Sequence, residues 1–158
     1  MTFEFALRLT EILMGFALLQ QSLEYIVIHK RYSFIFITRA VLCILLISGI
    51  QIGFVLGGLF FASLIILYIY QAPFNGGSDR LSLLMQFCLC IVTITPSQQW
   101  AELFFAYLGA QVILSYFIAG WVKIKNPDWR SGQALIDVFS FSTYPISQSI
   151  RRLAHYPS

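Results

Sequence analysis

The residues best placed to do chemistry lie in one stretch, residues 116–132, YFIAGWVKIKNPDWRSG. Lys123 and Lys125 stand at the end of a long apolar run, and Asp128 and Trp129 follow inside a helix-restart signal. A lysine at such a boundary can serve as a base or as a charge anchor for a ligand, because its ammonium is a compact point charge on a flexible stem. The same position also suits a lysine that does no more than reach along its own stem to the headgroups. Two readings therefore stand side by side. In one, Lys123 is a catalytic base or anchor, with Tyr116 as a hydrogen-bonding neighbour, Asp128 as a polar partner and Trp129 as a stacking wall. In the other, Lys123 is an ordinary residue at the end of a span.

Two further side chains join the candidate ligand contacts. Glu11 lies deepest in the first apolar run, where an ionisable group needs a partner or a function, and Arg80 opens the fourth run. No metal site is expected: there is no HExxH, no CxxC and no glycine-rich phosphate loop, and His29 and His155 are far apart in the chain. No spacing recommends a Ser/His/acid triad. The three cysteines, Cys43, Cys88 and Cys90, all fall in apolar runs and read as small buried hydrophobes rather than a disulfide framework.

The elements that must position these residues are membrane helices. The chain is 58% hydrophobic and only 11% charged, where soluble domains carry about 25% charged residues. The fold class expected is an all-α integral membrane protein, a single membrane domain over residues 1–158 with about five transmembrane helices and a C-terminal interfacial helix. The first run, roughly residues 5–28, lacks a basic leader and a small-residue cleavage site, so it reads as a span and not as a cleaved signal. Its polar residues pair by spacing: Arg8 with Glu11 at i, i+3, and Gln20 with Glu24 at i, i+4.

The next apolar stretch, residues 34–71, would be about 57 Å long as one helix, far beyond a hydrocarbon core of ~30 Å. The turn-forming cluster Ser48, Gly49, Gln51 and Gly53 divides it into spans at roughly 34–51 and 54–71. A proline and an Asn75-Gly76-Gly77 turn mark the following loop, with Ser78-Asp79 as a helix start. Further spans run at roughly 81–95 and 101–122, the last with small residues Ala106, Gly109, Ala110, Ser115 and Ala119 suited to close helix packing. Asn126 then caps a new helix, roughly 127–141, with Pro127 at its first position. Thr143-Tyr144-Pro145 ends it, and a basic interfacial turn is expected within residues 147–154.

Basic residues gather on one side of this arrangement: Lys30 and Arg31, then Arg80, then Lys123, Lys125, Arg130, Arg151 and Arg152. By the positive-inside rule the amino terminus is outside and the carboxyl terminus cytoplasmic. The net charge of +3 reads as topology, and no nucleic-acid partner is expected.

The segment YFIAGWVKIKNPDWRSGQAL, with the earlier loop APFNGGSDRL, resembles the membrane domain shared by vitamin K-dependent gamma-glutamyl carboxylases and the bacterial horizontally transferred transmembrane (HTTM) proteins. The similarity spans about twenty positions: Tyr116-x-x-Ala119-Gly120, then Lys123, Asp128-Trp129 and Gly132. The resemblance implies a bacterial inner-membrane location and a quinone or lipid-like ligand, and it gives Lys123 the role of the base that deprotonates vitamin K hydroquinone. Redox or modification chemistry with a membrane-protein partner is the function it implies. The alternative is a non-enzymatic subunit of a larger membrane complex.

Overall fold

The computed structural model describes residues 2–28, 32–69 and 77–141. The basic turn at residues 29–31, the loop at 70–76, the break at 143–145 and the basic turn within 147–154 lie outside the described residues. All regular structure among the described residues is helical: α1 (Phe3–Ile28), α2 (Ser33–Ser48), α3 (Ile52–Ile69), α4 (Gly77–Ile94), α5 (Gln98–Lys125), α6 (Pro127–Arg130) and α7 (Gln133–Phe141). Three of them, α3, α4 and α5, are long and apolar enough to cross a membrane. The chain thus carries the helices of an integral membrane protein. Of the other long helices, α1 has the length, but Glu4, Arg8, Glu11, Gln20, Gln21 and Glu24 dilute its apolar character. The apolar α2 has 16 residues, about 24 Å of helix.

The expected division of the 34–71 run is present, and its cause is visible. Gly49 takes the left-handed conformation at φ 81°, and its N–H and that of Ile50 donate back to the carbonyls of Leu46 and Leu45, both at 3.1 Å. This is the Schellman closure that a glycine permits at a helix end. Gln51 also has positive φ, 49°, and α3 begins at the next residue. At the C-terminal side the single helix expected over 127–141 is instead two, α6 and α7. Gly132, at φ 81°, interrupts the α-helical dihedrals between them, a conformation open to glycine at little cost.

The described residues group into two compact units, Met1–Ala110 and Gln111–Ser158, so α5 contributes its first part to one and its remainder to the other. In the first unit α1 packs on α2, α2 on α3 and α3 on α4. Leu18, Phe36, Leu46, Leu56, Leu59 and Leu89 form its core, each exposed by 2% or less. Lipid tails are as apolar as leucine, so dispersion and polar bonds must hold these helices together. Gly15 serves this directly: a Cβ there would lie 2.9 Å from Ile47 Cγ1, so its absence lets α1 and α2 approach closely. The second unit holds the end of α5 with α6 and α7. Ala101 and Leu108 are the buried residues of α5, and the small residues Ala106, Gly109, Ala110, Ser115 and Ala119 are all exposed.

Candidate functional site

Apolar helices bury few polar side chains, and those of the first unit fall into two stations near opposite ends of α1 and α2. The first is a clamp. Arg8 Nη1 donates to Glu11 Oε2 at 2.9 Å and to the Leu46 carbonyl at 2.9 Å, and Nη2 donates to the Ile47 carbonyl at 2.7 Å. Glu11 is 3% exposed. The guanidinium thereby neutralises a buried carboxylate, adds a second bond to the Leu46 carbonyl already engaged by Gly49, and caps the Ile47 carbonyl in the last turn of α2. It also sets a positive charge at the negative end of the α2 dipole.

The second station draws on four helices. Arg39 of α2 donates from Nη2 to Gln21 Oε1 of α1 at 2.7 Å, and Gln21 Nε2 donates to Asp79 Oδ1 of α4 at 2.8 Å. Ser63 Oγ of α3 donates to Gln86 Oε1 of α4 at 2.9 Å. These residues surround a cavity of about 30 Å³, walled also by Tyr25 and Phe36, whose rings meet at 5.1 Å. That volume admits roughly one or two water-sized groups. Arg39 is 4% exposed, and its buried Nε has no hydrogen-bond partner. A buried donor left unsatisfied costs about 1–3 kcal/mol.

The alternation of helix direction explains why these residues meet. Gln21 lies near the end of α1, Arg39 early in α2, Ser63 late in α3 and Asp79 in the first turn of α4, so antiparallel neighbours bring all four to one end of the unit. Beside the cavity an open cleft of about 270 Å³ lies between α1 and the start of α4, and it shares Gln21, Asp79 and Ser82 with the cavity wall.

The residues singled out in the sequence divide between the units. Glu11 belongs to the Arg8 clamp. Arg80 is exposed, beside Asp79 in the first turn of α4. In the second unit Lys123 Nζ sits 4.7 Å from the centroid of the Trp129 ring, and Lys125 Nζ sits 4.8 Å from that of Trp121. Lys123 and Trp129 are thus brought together, as a cation–π pair at an exposed position. Asp128 receives its place from the expected cap: its N–H donates to Asn126 Oδ1 at 2.9 Å. Tyr116 is 71% exposed on α5. Among the described residues no group of three or more His, Cys, Asp or Glu is placed to hold a metal ion. Cys43 and Cys88 are buried, Cys90 is half-buried, and all three are free thiols.

Sequence reasoning passed over Arg39, Gln86 and Ser63. The signal for Arg39 was there, since it is the one charged residue in the apolar run 34–71, and an ionisable group in such a run is a functional candidate by default. Its partners come from other helices, and no local spacing announces them. No protein-family model, curated protein sequence or solved structure matches the chain.

Proposed function

We propose that this chain is a five-span bacterial inner-membrane protein, akin to the HTTM and carboxylase-like membrane domain, that binds a quinone or lipid-like amphiphile by its polar head. The observation that supports this reading is a cavity among four helices lined by the buried Arg39 together with Gln21, Ser63, Asp79 and Gln86. A head-group oxygen entering the cavity would meet the Arg39 guanidinium that lines it and be held by a charge-assisted hydrogen bond. The cavity, at about 30 Å³, takes the leading atom of such a head, and the cleft beside it takes the rest.

In this reading α1 and α2 cross the bilayer with α3, α4 and α5, with Glu11 and Arg39 facing the interior and with the amino terminus outside and the carboxyl terminus cytoplasmic. Lys123, seated over Trp129, is the charge anchor at the bilayer boundary. The test is ligand retention. The intact protein in nanodiscs is offered a photoreactive long-chain quinone and a photoreactive phospholipid, and labelling is mapped by mass spectrometry. Labels on α1 and α4 near Gln21 and Asp79, reduced about tenfold or more by Arg39→Met, support the reading. Equal labelling of folded wild type and variant overturns it.

A second reading has its own observation. The exposed small residues Ala106, Gly109 and Ala110 of α5 share one face of the helix, the kind of surface that membrane helices use to pack closely. They fit a non-enzymatic subunit that docks on another membrane chain. Crosslinking from cysteines at Ala106 and Ala110 in native membranes checks it: adducts with one stoichiometric partner support the subunit, and lipid-only labelling of that face removes it.

A further inference from the structure

The second unit gathers its charge where its longest helix runs out. With 28 residues, α5 is about 42 Å long, so roughly 12 Å of it lies outside a hydrocarbon core of ~30 Å. Its two basic residues, Lys123 and Lys125, are both in the last turn, which brings that end to the headgroups. Arg130 follows on α6, and Asp128 is the one carboxylate between Trp121 and Gly132. Trp121, Lys123, Lys125, Asp128, Trp129 and Arg130 are all exposed, and no ion pair among the described residues joins the three cations to a carboxylate. Two of them rest on rings instead: Lys123 Nζ on Trp129 across the turn from α5 to α6, and Lys125 Nζ on Trp121 one turn back in α5. A ring covers one side of an ammonium and leaves N–H groups on the other. An apolar flank comes from α7, where Leu135 and Val138 are about half exposed. They lie opposite Gln133 and Asp137 on that helix, where Gln133 Nε2 donates to Asp137 Oδ1 at 2.8 Å.

We propose that the end of α5, with α6 and α7, is a docking surface for anionic phospholipid of the bilayer, with phosphates on Lys123, Lys125 and Arg130 and acyl chains against Leu135 and Val138. Charge complementarity chooses the occupant. Three cations against one carboxylate attract a head of net negative charge, by about fivefold for each cation near the surface. A zwitterionic head brings an ammonium that the same three cations repel. Depth agrees with charge, because exposed tryptophans settle at headgroup level and Trp121 and Trp129 hold their lysines there. The guanidinium of Arg130 offers paired donors to two phosphate oxygens. Each ring-held ammonium has already lost part of the side-chain freedom that binding would cost. The proposal rests on the reading of Lys123 as an anchor at the bilayer boundary and is independent of the cavity in the first unit.

The tryptophans themselves report on this surface. The chain has three, so Trp100→Phe leaves Trp121 and Trp129 as the fluorophores of the full chain in dioleoyl phosphatidylcholine bilayers. The probes are phosphatidylglycerol and phosphatidylcholine with dibrominated acyl chains, each added at the same mole fraction, since bromine quenches a tryptophan that it touches. Brominated phosphatidylglycerol should bind about tenfold more strongly than brominated phosphatidylcholine, and the preference should shrink as salt rises from about 0.05 to 0.5 M. Lys123→Gln should lower it about two- to fivefold, and Lys123→Gln, Lys125→Gln and Arg130→Gln together should bring the two lipids level. Equal quenching by the two lipids before any cation is removed overturns the proposal, as does a preference that survives the triple variant with its helices intact by circular dichroism. Should the triple variant fail to fold, the salt series decides, and a preference unchanged at high salt overturns the proposal. Arg39-dependent labelling by the quinone stands or falls without moving this lipid preference, so the failure of one reading is distinguishable from that of the other.

Discussion

Arg8 and Arg39 are two arginines on a pair of packed helices, and the structure treats them differently. Arg8 makes bonds to one carboxylate and two carbonyls, although its side chain is 31% exposed. Arg39, buried more deeply, bonds through Nη2 to an amide oxygen and keeps a buried Nε without a partner. The better-satisfied arginine ties α1 to the end of α2, and the less satisfied one sits where side chains of four helices meet. Burial alone would have ranked them the other way, so completeness of hydrogen bonding is the more informative measure of what a charged group in a membrane helix is for.

The comparison can be broken at several points. Arg8→Met should have the largest effect, about 3 kcal/mol or more, because it strands the buried Glu11 carboxylate without its countercharge; equilibrium unfolding in mixed micelles reads this. Gly49→Ala should cost about 1 kcal/mol by forcing an alanine to positive φ, and its Cβ would stand 3.2 Å from Arg8 Nη2, pressing on the clamp itself. Arg39→Met should change stability by about 1 kcal/mol or less, since the lost bond to Gln21 is offset by removal of an unsatisfied donor. A loss as large as that of Arg8→Met would make Arg39 a second clamp and remove the contrast. Lys123→Ala should have the smallest effect on unfolding, no more than about 1 kcal/mol for an exposed cation–π pair.

Local patterns in the sequence proved legible. The pairing of Arg8 with Glu11 and of Gln20 with Glu24 followed from helical spacing, and both bonds are present. So are the break at Gly49 and the Asn126 cap with Pro127 at N1, because each depends on residues within one turn of one another. The second station was not legible for the opposite reason. Gln21 and Asp79 are 58 residues apart and Ser63 and Gln86 are 23 apart, so only the antiparallel stacking of four helices makes them neighbours. The extra break at Gly132 was missed because a lone glycine beside a serine also fits a continuous helix, and its positive φ is a property of the folded chain.

The Arg8 clamp carries a consequence for biogenesis. When α1 first leaves the ribosome, Arg8 and Glu11 can meet within the helix, but the carbonyls of Leu46 and Ile47 have yet to be synthesised. Arg8 is completed only after the last turn of α2 has formed, some 38 residues downstream. The first two helices are therefore completed together as a hairpin, and a truncation between them would leave Arg8 with Glu11 as its one partner of the three.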